Sequence, residues 1–363
     1  MGVKIRPARL RAAALLAVAS ISSLFVAMPD AAAAASCRSQ HCYWIADWSV
    51  NAPSGFDGGT TNVRVNCAAL ANAQTVDFVT DELWVVSSLG WIEAGIVEGH
   101  PAGRPSTQNN TVLFWGHGNF SGGFVGHYGT GQISFGSYYR MAIHRTGSST
   151  WDVRAGSMTS GLTAMSETPR SLETGMEAYT DSSTYVTDEG SSSSMTYYTL
   201  QNQEASGWHS STGAQLGTPP NGYLRWADQY HWAQYGSGSC AAFSGQPQPS
   251  SSTKPDLLSV ARDTARSFGE SAPNSITTVS SSRAAALRAV APGDTVNENG
   301  GAYVITMHGT FAGDAIPRPR GGAAPTGTVL SLVVDATSMQ VTDYALGTTA
   351  PKLAALGTVS RLG

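Results

Sequence analysis

Charge is scarce in this chain of 363 residues. Charged residues make up 13% of the sequence, against about 25% in ordinary globular domains. Between residues 36 and 250, acidic side chains outnumber Lys and Arg by 16 to 8, whereas residues 251–363 are close to neutral. Because binding to nucleic acid needs clusters of Lys and Arg, this composition argues against a nucleic-acid partner.

Common signatures of catalytic and metal sites are also missing. No G-x-S-x-G, no H-E-x-x-H and no C-x-x-C occurs, which argues against a serine hydrolase of that type and against a zinc site. His117 and His127 lie in a glycine-rich stretch where a metal site is an alternative, but packing or hydrogen bonding is the favoured interpretation. We therefore expect no metal and no cofactor.

The first 35 residues predict a signal peptide. A basic start with Lys4 and Arg6 precedes an apolar run over residues 12–28, and alanines at 33–35 offer a cleavage site. The run contains serines and is short for a membrane span of roughly 20 residues. We expect a secreted, extracellular protein that has no membrane contact once the signal peptide is removed.

The chain has four cysteines, and all of them follow the predicted cleavage site. An even number in an exported protein predicts two disulfide bonds, with three possible pairings. We favour Cys37 with Cys42, and Cys67 with Cys240, because the second bond would join the two ends of one domain.

Sustained helical periodicity is absent from residues 40–240. Short alternating segments recur there instead, and residues 138–154 form the clearest hairpin pattern. We predict an antiparallel β-sandwich of jelly-roll or concanavalin-like type for residues 36–243. The polar, proline-containing residues 244–255 predict a linker.

Residues 256–363 follow a different pattern and predict a small α+β domain. One helix is expected after Asp256, whose side chain can cap it, and a second over residues 283–290. Strands are expected over residues 302–311, 328–335 and 340–345.

Two glutamates stand out in this charge-poor background. Glu93 lies in an apolar segment with Trp91, and Glu177 lies in a second such segment with Tyr179. Period-two alternation places each glutamate on the same strand face as its aromatic neighbour and as a glycine. The glycine leaves room for a ligand to approach, and the aromatic ring desolvates the acid and raises its pKa. The alternate residues, which would face the other way, are Ile92, Ala94, Ile96, Leu172, Thr174, Met176 and Ala178.

Such a pair of carboxyl groups suits hydrolysis. One ionised glutamate activates a water molecule, while the other, held protonated, donates to the carbonyl or to the leaving group. Two nearby carboxylates cannot both ionise cheaply, so the pair is expected to work at acid pH. The candidates are Glu93 and Glu177, and Glu173 is the rival for the second position. The residues expected to bind substrate are Trp91, Trp115, Tyr179 and His127.

Short motifs in this region resemble the neprosin family of glutamic endopeptidases. They are Glu82-Leu-Trp-Val-Val86 with Trp91-Ile-Glu-Ala-Gly95, the Phe114-Trp115 strand, Gly122-Gly-Phe124 and Gly175-Met-Glu177, in that order. The resemblance covers about residues 75–240. It implies a β-sandwich with two catalytic glutamates on a concave face, an acidic pH optimum, a polypeptide substrate and cleavage near proline. It assigns Glu93 to the first catalytic position and Glu177 to the second.

Other readings of the sequence stay open. The C-terminal pattern of a strand, Val-Val-Asp-Ala, a turn and Val-Thr-Asp weakly resembles PepSY-like domains, with Met339 in place of the usual turn glycine. A concanavalin-like sandwich with many tryptophans is also typical of carbohydrate-binding modules or glycosidases, which would take a polysaccharide. The E-x-D-x-x-E strand motif of jelly-roll glucanases is missing. A non-catalytic secreted structural protein is the third alternative.

Overall fold

Most of the chain beyond the predicted signal peptide is described by a computed structural model. It describes residue 37 and residues 41–47, 56–70, 76–105, 108, 110–180, 186–192, 196–199, 204–205, 222–226, 232–236, 256–297 and 300–363. The predicted signal peptide, Cys240 and the predicted linker lie outside these residues. No helix in the described ranges is long and apolar enough to cross a membrane.

Strands dominate the described part of the chain. Numbered along the sequence, they are β1 (Cys42–Asp47), β2 (Phe56–Leu70), β3 (Phe78–Val86), β4 (Gly90–Gly99), β5 (Val112–Asn119), β6 (Phe124–Gln132), β7 (Tyr138–Arg145), β8 (Thr150–Ala155), β9 (Met158–Thr163), β10 (Ser171–Tyr179), β11 (Val186–Ser192), β12 (Thr196–Thr199), β13 (Glu204–Ala205), β14 (Gly222–Trp226), β15 (Trp232–Gly236), β16 (Ser275–Ser282), β17 (Gly301–Ala312), β18 (Thr326–Asp335), β19 (Val341–Gly347) and β20 (Ser360–Arg361). The helices are α1 (Leu257–Ser267), α2 (Arg283–Val290) and a 3-10 turn at Leu353–Ala355.

The strands form two antiparallel sheets. Sheet A has the order β1-β10-β3-β4-β5-β6-β19-β18-β17-β16-β20, and sheet B has the order β14-β15-β11-β2-β7-β8-β9. In sheet B, β12 also pairs with β2, and β13 pairs with β12. The predicted hairpin is present as β7 and β8, with Arg145 opposite Trp151. The predicted fold class, an antiparallel β-sandwich followed by α+β elements, is confirmed.

The core of the sandwich lies between the two sheets. One hydrophobic cluster joins Ile92 and Ala94 of β4 in sheet A to Met141 and Ile143 of β7 in sheet B. Leu172 of β10 belongs to the same cluster. Alternation along each strand sends these side chains to one face and their neighbours to the other, as the sequence predicts.

The second face of sheet A is also buried, because the C-terminal elements cover it. Trp84 and Trp91 on this face share a hydrophobic cluster with Phe268, which follows α1, and with Ile316, which follows β17. Burial on both faces explains why every residue of β10 is buried. Because layers cover both faces of this sheet, nearly all residues along its central strands are buried, including the polar ones.

The C-terminal elements match their sequence patterns. Asp256 caps α1 by accepting a hydrogen bond from the backbone N–H of Ser259, and α2 begins and ends as predicted. The three predicted strands are β17, β18 and β19, and Met339 in the turn between the last two has the positive φ of 59° usual for glycine. Strand β16 was not predicted, since its sequence Ser-Ile-Thr-Thr-Val-Ser-Ser-Ser is mostly polar.

Sheet A passes from the sandwich into the C-terminal part without a break. Strand β19 pairs with β6, and Asp343 lies opposite His127. Residues from Ala35 to Gly363 accordingly cluster as one compact unit. The division at residues 244–255 into two domains stays a prediction, and the shared sheet shows how closely the two segments associate.

One of the predicted disulfide bonds lies in the described residues. Cys37 and Cys42 are bonded, with their Cα atoms 5.3 Å apart. This bond closes a short loop directly before β1. Cys67 is also disulfide-bonded, and Cys240, its predicted partner, lies outside the described residues.

Candidate active site

Glu93 and Glu177 lie on the same face of sheet A. Glu93 of β4 is opposite Trp84 of β3, and Glu177 of β10 is opposite Thr80 of β3. Strand β3 thus separates the two glutamates, and a third glutamate, Glu82, lies between Thr80 and Trp84 on this face. All three glutamates have no exposed surface. We call this set of residues the glutamate face.

Glycine at position 175 is required by the close packing of β1 against β10. Its φ of +146° is rare for residues with a side chain, and a Cβ atom here would lie 2.2 Å from the backbone oxygen of Trp44. Gly175 is opposite both Ile45 of β1 and Glu82 of β3. The Gly-x-Glu spacing therefore lets β1 approach β10 beside the carboxyl groups.

Glu177 is surrounded by hydrogen-bond donors. Its Oε2 accepts a bond from the backbone N–H of Arg318 at 3.0 Å. Its Oε1 contacts Nδ1 of His41, and the Tyr43 hydroxyl lies 3.3 Å away from the same oxygen. Both oxygens of the Glu177 carboxyl group therefore have polar partners.

Glu93 has a different environment. Its Oε2 accepts a hydrogen bond from the indole N–H of Trp91 at 2.9 Å, and its Oε1 has no partner among the described residues. Burial raises the pKa of Glu93 well above its ordinary value, and the negative charge of Glu177 raises it further, against a lowering by Trp91. Glu93 therefore keeps its proton to a higher pH than an ordinary glutamate does.

Glu82 lies on the same face as the two predicted site residues, although the sequence pattern did not predict it as a site residue. Burial raises the pKa of Glu82 well above its ordinary value, and Glu93 and Glu177 contribute further. Its Oε1 accepts a hydrogen bond from the Thr80 hydroxyl, and its Oε2 has no hydrogen-bond partner among the described residues. The sequence did hold a signal, since Glu82 is two residues before Trp84 and must share its strand face.

The rival residue Glu173 lies on the same face, nearer to one end of β10. It is opposite Trp84, and its Oε1 accepts a hydrogen bond from the Ser171 hydroxyl at 2.7 Å. The charge of Glu177 raises the pKa of both Glu82 and Glu93. In the pairing register Glu173 lies directly across β3 from Glu93, since both are opposite Trp84, whereas Glu177 lies four residues further along β10. Glu173 therefore stays the alternative to Glu177.

The predicted substrate-binding residues divide between two locations. Trp91 and Tyr179 lie with the glutamates, and Tyr179 stacks on Phe78. Trp115 belongs to the core between the two sheets and stacks on His127, with ring centroids 3.7 Å apart. Trp115 and His127 are therefore on the opposite side of sheet A from the glutamate face.

His127 belongs to a buried network of charged groups instead. Its Nδ1 lies 2.8 Å from Oδ1 of Asp343, and its Nε2 lies 3.1 Å from Oδ2 of Asp294. Arg283 holds the other side of Asp343, and His117 also contacts Asp294 at 3.0 Å. This network, Arg283–Asp343–His127–Asp294–His117, fastens α2 and β19 to β5 and β6.

A segment of the C-terminal part lies directly on the glutamate face. We define the covering segment as residues 313–320, between β17 and β18. Besides the bond from its Arg318 N–H to Glu177, its Arg318 carbonyl oxygen lies 3.1 Å from the Tyr43 hydroxyl. His41 Nε2 donates to the carbonyl oxygen of Asp314 at 2.6 Å. Neither Arg318 nor this segment was predicted from the sequence, because no local pattern marks them.

The arrangement combines the parts that acid–base hydrolysis needs. Burial favours the protonated form of Glu93, both oxygens of Glu177 have polar partners, and one of these partners is a backbone N–H. The low-dielectric surroundings strengthen each of these interactions.

Comparison with known proteins gives only remote likenesses. No protein-family model matches the chain, and no curated protein matches it. A crystal structure of scytalido-glutamic peptidase with a transition state analog inhibitor is similar at a TM-score of 0.36 and 8% identity, over 54% of this chain and 98% of that chain. A second structure of that peptidase, with a peptide based transition state analog, has a TM-score of 0.33 and 6% identity over the same shares. SCP-B, a member of the Eqolisin family of peptidases in a complex with the tripeptide Ala-Ile-His, has a TM-score of 0.31 and 8% identity, again over 54% and 98%. Likenesses this weak transfer neither a residue role nor an activity to this chain.

Proposed function

We propose that this chain is a secreted glutamic peptidase that hydrolyses peptide bonds at acid pH. The observation that carries the proposal is the set of three buried glutamates, Glu82, Glu93 and Glu177, of which Glu177 holds the backbone N–H of a polypeptide segment.

The different environments of the two catalytic candidates suggest their roles. Glu177 is the general base: it takes a proton from a water molecule whose oxygen attacks the carbonyl carbon of the scissile bond. Glu93 is the general acid: its protonated carboxyl group hydrogen-bonds to the carbonyl oxygen as negative charge develops there. The proton held by Glu177 then passes to the leaving amine as the C–N bond breaks. Tyr43 and His41, which contact Glu177, are positioning residues for the base.

The acid pH range follows from the same contacts. Burial and the nearby Glu177 raise the pKa of Glu93, so Glu93 keeps its proton in acid and loses it as the pH rises. Glu82, also with a raised pKa, adds a neutral carboxyl group between them in acid. Activity should therefore fall on the alkaline side, when Glu93 ionises beside Glu177.

The first test is hydrolysis by the chain without its signal peptide. An unstructured protein substrate and a polysaccharide are incubated with it at about pH 3 to 5, where a coupled glutamate pair is active. Peptide bonds should be cleaved, and Glu93→Gln should lower kcat by a factor of 100 or more, about the loss expected for a catalytic proton donor.

Glu98→Gln is the matched control. Glu98 lies on the same strand as Glu93 and is half-buried, and it hydrogen-bonds to Thr111 away from the glutamate face. The same change of a carboxyl group to an amide should leave kcat within about twofold. Equal activity of Glu93→Gln and the unaltered chain would remove Glu93 from the mechanism. Cleavage of the polysaccharide alone would replace the peptidase by a glycan-hydrolysing function.

A further inference from the structure

The covering segment binds the glutamate face mainly through its own backbone. The face or its surrounding loops contact three of its carbonyl oxygens and one N–H: Ala102 N–H bonds the Ala315 carbonyl oxygen at 2.8 Å, and the other three contacts are those of His41, Tyr43 and Glu177. Backbone contacts of this kind recognise an extended polypeptide whatever its side chains. A peptide substrate would use the same donors and acceptors.

Apolar packing and restricted backbone freedom hold the segment in place. Ile316 is fully buried and belongs to the same hydrophobic cluster as Trp84 and Trp91. Pro317 and Pro319 on either side of Arg318 fix their own φ angles, which lowers the entropy lost when the segment lies on the face. The Arg318 guanidinium bonds to the carbonyl oxygen of Asp314, within the segment itself, at 2.9 Å.

The segment closes the site to any other polypeptide. Its Arg318 N–H directly occupies Glu177 Oε2, and the three glutamates beneath the C-terminal elements have no exposed surface. Neither bulk water nor a substrate can reach Glu93 or Glu177 while it stays there. For a hydrolase, this is the geometry of a latent form.

We propose that the covering segment is an intramolecular inhibitor of the peptidase, which occupies the substrate-binding position over Glu93 and Glu177 until it is displaced. The inference rests on the proposed peptidase function, because it names the regulation of that same site. It assigns the C-terminal part of the chain a role as the structure that carries and positions the inhibitor.

The test compares full-length chains, without the signal peptide, that differ at one position. Ile316→Asp introduces a charge into the apolar cluster and should displace the segment. Ala323→Asp makes the same change of charge at an exposed residue between β17 and β18 and is the matched control. Far-UV circular dichroism and urea denaturation establish that each variant is folded, and Ile316→Ala, which removes apolar contact without adding charge, replaces Ile316→Asp if the latter does not fold.

Two measurements are made on each variant. The first is labelling of glutamates by a water-soluble carbodiimide and an amine, located by peptide mass spectrometry, which reports exposure without catalysis. The second is the rate of peptide hydrolysis at pH 4. In the unaltered chain and in Ala323→Asp, Glu93 and Glu177 should remain unlabelled and hydrolysis should be slow. In the variant at Ile316, both should be labelled and hydrolysis should be at least tenfold faster.

A peptide with the sequence of residues 313–320 provides an independent measurement. Added to the Ile316 variant, it should restore slow hydrolysis and protect the glutamates from labelling, whereas a scrambled peptide of the same composition should do neither. Adding Glu93→Gln to the Ile316 variant should abolish the faster hydrolysis.

The outcomes separate the two proposals. If the unaltered chain hydrolyses peptides as fast as the Ile316 variant, the inhibitor is refuted and the peptidase stands. If labelling increases in the Ile316 variant but no form hydrolyses peptides, the peptidase is refuted, and the inhibitory role with it. If labelling is the same in all forms, the segment does not control access to the glutamate face and the inference is wrong.

Discussion

Replacing Asp343 by Asn should destabilise the fold, because Asp343 of β19 links the C-terminal part of sheet A to His127 of β6. The side chain of Asp343 is fully buried and accepts hydrogen bonds from Arg283 Nε at 2.9 Å and Nη2 at 3.0 Å. It also bonds to His127 Nδ1 at 2.8 Å and to the Thr342 hydroxyl at 2.8 Å. An amide has one oxygen acceptor and loses the charge, so Arg283 and His127 would be left incompletely paired in the interior.

The loss in the free energy of unfolding can be estimated in two ways. Burial alone would raise the pKa of Asp343, but the hydrogen bond from His127 and the charge of Arg283 outweigh burial and lower it to about 2. Relative to an ordinary value of 3.8, this corresponds to about 2.5 kcal/mol of favourable interaction with the ionised form. Removing one partner of a buried ion pair typically costs about 3 to 5 kcal/mol. We expect a loss of about 3 kcal/mol in the free energy of unfolding.

Urea denaturation at pH 6, followed by tryptophan fluorescence, measures this loss. Asp263→Asn is the control, since Asp263 forms a more exposed ion pair with Arg266 within α1, and such pairs contribute about 0.2 to 1 kcal/mol. A lowered pKa contributes stability above the unfolded value, and this is lost as the pH falls through the folded value. The unaltered chain should therefore approach the stability of Asp343→Asn between about pH 4 and pH 2. A loss below about 1 kcal/mol at pH 6 would show that the buried network does not stabilise the junction between β6 and β19.

Two further substitutions test the description of the sheet. Burial raises the pKa of Glu98 to about 7 from an ordinary value of 4.5, and the Thr111 hydroxyl only partly offsets it, so Glu98 contributes stability below pH 4.5 that is lost as the pH rises through 7. Glu98→Gln should remove this pH-dependent loss of about 3 kcal/mol. If the two proteins differ in stability by the same amount at pH 4 and at pH 8, the prediction is wrong. Gly175→Ala should destabilise the fold by about 2 kcal/mol or more, since its Cβ would collide with the backbone oxygen of Trp44 at 2.2 Å and φ is positive. Gly131→Ala, where a Cβ meets nothing within 4 Å, should change stability by less than about 0.5 kcal/mol, and an equal loss in both variants would show that Gly175 is not required for close packing.

Local patterns in the sequence predicted the regular elements and the faces of the strands. The alternation around Glu93 placed Ile92 and Ala94 toward the sandwich core, and the structure has them there. The Asp256 cap, the boundaries of α2 and the short loop from Cys37 to Cys42 were predicted for the same reason. Each of these features depends on residues a few positions apart, and their spacing is visible in the chain itself.

Burial of the glutamate face could not be predicted in the same way. A glutamate in an alternating strand usually faces solvent, and the sequence of β4 does not indicate what covers its second face. Strand β16 was missed because its polar sequence becomes a strand only by pairing with β17 on one side and β20 on the other. Tertiary contacts decided both features.

The sequence by itself determined which face of each strand carries the candidate glutamates, because side chains alternate along a strand with a fixed period. Tertiary structure alone decided what those glutamates meet. Glu82 joins Glu93 and Glu177 only because three strands pair in one register, and Arg318 reaches Glu177 across 141 positions of sequence. His127 meets Asp343 across 216 positions. Such contacts depend on how distant segments pack, and the physical reason is that no local periodicity encodes the pairing of segments so far apart.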